Sequence, residues 1–132
     1  MTWIDDRLAQ EKARRERWDL IKQHADAVYE ALWTQIVEYV AEAKSKSLSV
    51  FTTGSVHDRI VSTSPDARYP DQLHVTMGKG RIRAHGTGID IEFLLDVCPD
   101  GVVCLKLRGE PISTEAAAIR ILDPLLFPNL QG

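Results

Sequence analysis

The sequence predicts a single α+β domain spanning residues 1–132: a long N-terminal helix, a five- or six-stranded antiparallel meander, and a C-terminal helix packed on the same face of the sheet. Three observations predict it. Residues 1–53 contain neither glycine nor proline, whereas all 8 glycines and 6 prolines lie from Gly54 onward. The apolar spacing is three or four residues before Lys46 and two residues after it. The composition, 44% hydrophobic and 27% charged over 132 residues, is that of a globular chain. Such a chain can bury a core without disulfide staples.

The helix rests on apolar or small residues at Trp18, Ile21, Ala25, Val28, Leu32, Ile36, Tyr39 and Ala43. From Val28 a second row, Tyr29, Trp33, Val37 and Val40, widens the stripe, which suits burial against a sheet. Continued backwards, the same register meets Arg14, Glu11 and Arg7, leaving only Ile4 and Leu8 as an apolar pair. A helix from Ile4 to Lys44 would span roughly 60 Å at 1.5 Å per residue. A compact chain of this length has a radius of gyration of only about 14 Å. Residues 1–17 therefore break from the helix near Arg14 to Asp19, project and dock on a second subunit, or fray into solvent.

After Lys46 the apolar residues alternate, at Leu48 and Val50, Ile60 and Val61, Leu73 to Met77, Ile82 and Ala84, Ile89 to Leu95, and Val103 to Leu107. Gly78–Gly80, Gly86–Gly88 and Pro99–Gly101 supply hairpin turns. The chain returns to helix after Pro111, with Ser113 or Thr114 as N-cap and Ala118, Ile119, Ile121 and Leu122 as its apolar side. Pro124 interrupts that pattern, so residues 124–132 read as an extended apolar tail that caps the core or docks on a neighbouring subunit.

The turns also set registers. A two-residue turn at Lys79–Gly80 places His74 opposite His85, and one at Thr87–Gly88 places His85 opposite Asp90 and Arg83 opposite Glu92. A bulged turn at Pro99–Gly101 extends that second row to Arg108. The row Thr76, Arg83, Glu92, Arg108 reads as a cross-strand charge ladder. The row His74, His85, Asp90 contains metal-ligand types, so it is a candidate metal site, with a solvated His–Asp contact as the ordinary alternative.

His57, Asp58 and Arg59 occupy the loop between the first two strands and form a second candidate site: a histidine beside a carboxylate suits proton transfer, and an arginine holds anions. Arg68, with Tyr69, lies in the longest loop as a further candidate ligand contact. No phosphate loop, dinucleotide fingerprint, zinc-protease helix or serine elbow occurs, so no catalytic residue and no cofactor are implied. Cys98 and Cys104 match neither a redox pair nor a four-ligand zinc site, and their diagonal offset is awkward for a bridge; they read as free thiols of a reducing compartment.

A net charge of -3 gives no general attraction to nucleic acid or anionic lipid. The basic run Lys12, Arg14, Arg15 and Arg17 is interrupted by Glu11 and Glu16 and reads as a solvated helix face. No leader or membrane segment is apparent at the start of the chain. The sequence therefore points to a cytoplasmic, non-catalytic binding or assembly module acting as a homodimer or on a protein partner. The alternative is a ligand- or metal-binding protein or hydrolase using the outer sheet face or the His57 loop.

Overall fold

The computed structural model describes residues 2–63, 71–86 and 88–130. Helix α1 runs unbroken over Trp3–Ser45. It starts on a capping box in which Thr2 and Asp5 satisfy each other's backbone amides, with Asp5 and Asp6 at the positive end of the helix dipole. It stops where Ser47 turns to φ 69°, a conformation that ends the i→i−4 ladder. At 43 residues α1 is about 65 Å long. The break near Arg14 to Asp19 that its length allowed does not occur.

Seven strands follow: β1 (Phe51–Gly54), β2 (Arg59–Ser62), β3 (Gln72–Gly78), β4 (Arg81–Gly86), β5 (Ile89–Val97), β6 (Val103–Leu107) and β7 (Glu110–Ile112). They form one antiparallel sheet in chain order. The alternation predicts five or six. The additional strand is β7, returned onto β6 by Arg108 and Gly109, both at positive φ (53° and 85°) as a tight twisted hairpin requires. Pro111 is tolerated there because β7 lies at the sheet edge.

The predicted registers hold: Gly78 pairs with Arg81, His74 with His85, His85 with Asp90, and Arg83 with Glu92. The ladder stops short of Arg108, which belongs to the β6–β7 turn. The ion pairs run diagonally, Arg83 to Asp90 at 3.0 Å and Arg81 to Glu92 at 3.3 Å, instead of straight across.

Cys98 and Cys104 are joined in a disulfide, which overturns the free-thiol reading. Their diagonal placement brings the Cα atoms to 6.0 Å, inside the range a bridge spans.

Helix α2 (Thr114–Leu126), capped by Ser113, continues through Pro124 into a 3₁₀ turn at Pro128–Leu130. The extended tail predicted from Pro124 is thus helical as far as Leu126. Pro124 has no N–H to give the Arg120 carbonyl, so the helix forgoes one hydrogen bond close to its C-terminal end, and burying Leu125 favours continuation.

Both helices cover one sheet face. Leu32 and Ile36 of α1 and Ile121 of α2 are fully buried against Leu73, Val75, Ile82 and Phe93. Each such side chain contributes roughly 1.5–3 kcal/mol on leaving water. The opposite face carries the charged and histidine rows. Among the described residues no helix is long and apolar enough to cross a membrane.

Candidate functional site

Two parts of the molecule carry side chains that the core does not use: the β1–β2 corner, and the flank of α1 with its N-terminal extension.

At the corner, the alternation of β2 sends successive residues to opposite faces. Gly54 has φ 107°, and a Cβ there would lie 2.2 Å from the carbonyl oxygen of Asp58, so only glycine closes this loop. Arg59 opens β2 opposite Val75 on the core side and is 8% exposed. It is not a loop residue, as the sequence suggested, but a buried cation. Its guanidinium lies 4.9 Å from the Tyr29 ring and 5.4 Å from the Trp33 ring. Nη2 donates to Glu30 Oε1 at 2.6 Å, while Nη1 is buried with no hydrogen-bond partner among the described residues. Tyr29 Oη donates to the Val75 carbonyl at 2.8 Å, and burial raises the Tyr29 pKa.

Asp58 turns the other way, to the outer face, where its carboxylate lies 2.8 Å from Nδ1 of His74. The amide nitrogen of Gln72 is placed 3.3 Å from Nε2 of His74. With that amide donating, the imidazole proton sits on Nδ1 and points at Asp58. The rings of His74 and His85 lie 5.6 Å apart.

Asp90 does not join them. It accepts two hydrogen bonds from Arg83, which hold its carboxyl below its ordinary pKa. Among the described residues no group of three or more His, Cys, Asp or Glu side chains is gathered for a metal ion. His57 is exposed and lines a cavity of about 330 Å³ with Asp26, Tyr29, Glu30, Val56 and Met77. The trio His57, Asp58, Arg59 therefore diverges into three environments. Arg68 and Tyr69 lie outside the described residues.

The second part is α1 itself. Residues 2–17 are exposed apart from the half-buried Glu11. Trp3 is 73%, Ile4 51% and Leu8 63% exposed, so three large apolar side chains stand on a segment that covers no core. The segment leaves the domain at a definite anchor. Arg17 Nε donates to Asp96 at 2.7 Å, Lys106 donates to the same carboxylate at 3.0 Å, and Trp18 packs against the β3–β4 turn at Gly80. Burial pushes the Asp96 carboxyl up, but the bonds from Lys106 and Arg17 outweigh it and leave the pKa lowered. Further out, hydrogen bonds from Arg14 lead the effects that hold Glu11 down at about 2, so it stays charged at any physiological pH.

Sequence reasoning located Ile4 and Leu8 and the outer-face rows. It missed the burial of Arg59, whose signal is the alternation Arg59, Val61 on one face. That parity was unreadable because the long β2–β3 connection sets no register. No protein-family model, curated protein or solved structure matches the chain.

Proposed function

We propose that this protein is a non-catalytic assembly module that acts as a homodimer through the N-terminal part of α1. The observation that carries the reading is the exposure of Trp3, Ile4 and Leu8 on a capped helix that, among the described residues, is anchored to the sheet from Arg17 onward. A helix of this kind gains most of its stability from an apolar face covered by something else. The alternative, a ligand- or metal-binding protein or hydrolase, draws on the Asp58–His74 pair; the divergence of His57, Arg59 and Asp90 from that pair favours assembly. The expectation of a cytoplasmic setting rested on the absence of an apparent leader or membrane segment, and the free thiols expected with it are instead joined as Cys98–Cys104, so no compartment enters the proposal.

Light scattering coupled to size exclusion tests the reading on the full chain and on a chain lacking residues 1–16, which keeps the Arg17–Asp96 contact. The full chain runs as a dimer at micromolar concentration and the shortened one as a monomer with unchanged strand signal by circular dichroism. A full chain that is monomeric at every concentration overturns it.

A further inference from the structure

The flank of α1 beyond its anchor is not smooth. Trp18, Ile21, Lys22 and Ala25 face Gly78, Lys79 and Gly80 across a cavity of about 370 Å³. The next turns, Asp26 to Glu30, face Met77, Val56 and His57 across the cavity of about 330 Å³ described above. Because Met77 to Gly80 are consecutive, the two cavities follow one another as a trough along α1. Its far wall includes Val56, 62% exposed.

Three properties of the projecting segment match this trough. The first is direction. At 100° per residue, Ile4, Leu8, Glu11, Arg15, Lys22 and Asp26 fall within about 60° around the helix axis. The apolar pair and the trough therefore lie on the same flank of one unbroken helix. A symmetric antiparallel pairing requires this, because each helix presents the same strip to the other.

The second is length. Residues 3–17 extend about 22 Å and the trough beside residues 18–30 about 20 Å.

The third is charge. Antiparallel alignment that sets Ile4 and Leu8 beside Ala25, Val56 and Met77 also sets Glu11 beside Lys22 and, one residue out of step, Arg15 beside Asp19, each pair opposite in sign. Lys22 and Asp19 pair with each other at 3.7 Å and Lys22 lies 5.9 Å over the Trp18 ring, but both side chains are more than half exposed and can take a second partner. Glu11 is charged at all relevant pH values, its carboxyl bridging Arg14 and Arg15.

We propose that two copies of this chain pair their α1 helices antiparallel, the N-terminal segment of each lying in the other's trough between α1 and the β3 end. The two-fold axis passes beside Glu16 and Arg17, and every contact occurs twice. The inference rests on the homodimer reading and adds to it the partner surface and the register.

Charge exchange tests the register. Glu11→Lys and Lys22→Glu are each made alone and then together, and dimer mass is followed by light scattering over a dilution series. Circular dichroism checks that helix content is unchanged. Each single change turns two attractive contacts into repulsive ones and raises the dimer Kd roughly tenfold. The double variant restores it to within about threefold of the parent. A dimer whose Kd ignores all three variants, or one weakened by the single changes and not rescued by the double, overturns the antiparallel register and leaves the homodimer standing. A parent chain that is monomeric throughout removes both.

Discussion

Arg59 carries its charge on the core side of the sheet at 8% exposure, a costly place for a cation. A guanidinium on the core side of a sheet loses its hydration, and among the described residues Glu30 and two aromatic faces offset that loss. Deleting the counter-ion is therefore worse than deleting the cation. Glu30→Ala leaves a buried charge alone and destabilises by about 2 kcal/mol, less than for a fully buried pair because Glu30 is half exposed. Arg59→Met keeps the stem against Tyr29 and Trp33 and changes stability by about 1 kcal/mol or less. Urea denaturation that ranks the two in the opposite order removes this account.

Asp96 gives a pH signature at the same scale. Its carboxyl is depressed in the folded chain, so the Arg17 and Lys106 contacts contribute fully above the ordinary aspartate pKa and are lost as pH falls through the lower folded value. Thermal melts between pH 6 and 2 thus show an acid-sensitive contribution of roughly 1 kcal/mol that Asp96→Asn removes. An identical acid profile in the variant is the contrary result. Single residues were the least legible level of the sequence: Glu30 and Arg59 stand 29 positions apart, and nothing but the placement of β2 under α1 brings them together.

At the level of elements, the hairpins were the most legible part. Lys79–Gly80 set its own register because a two-residue turn leaves no freedom in pairing. The strand that escaped, β7, hangs on Arg108 adopting positive φ, which few non-glycine residues do and which a sequence does not advertise. The helical course of Leu125 past Pro124 was hidden for a similar reason, since burial outweighed the local penalty.

Gly86 shows what close strand packing demands. A Cβ there would lie 2.1 Å from the Gln72 carbonyl oxygen and 2.6 Å from the Leu73 Cα, both backbone atoms. Gly86→Ala must part β3 from β4 and destabilises by about 3 kcal/mol, read as a lower urea midpoint at unchanged slope. Gly88→Ala is the control: its Cβ meets nothing within 4 Å, so the change costs only the strain of φ 75°. Equal losses in the two variants argue against strand contact as the cause.

For the whole molecule, the sequence already implied a helix longer than its domain, because spacing gives length and composition gives size. The trough did not follow from the same reading. It needs the β3 end and the Val56 loop brought beside α1, a placement that no turn or periodicity encodes. The one-sided sheet, with the helices on one face and ions and imidazoles on the other, was legible from alternation alone.

The meander order also bears on time. Every strand pairs only with its neighbour in the chain, from β1 to β7. Apart from the β2–β3 connection the loops closed during folding are therefore short, and each hairpin can form without waiting for distant segments. The long closures are those that lay α1 on β5 and β6 and bring it against α2. Search is confined to seating two helices on a sheet that assembles locally, and nascent α1, made first and without breakers, waits for the surface that will hold it.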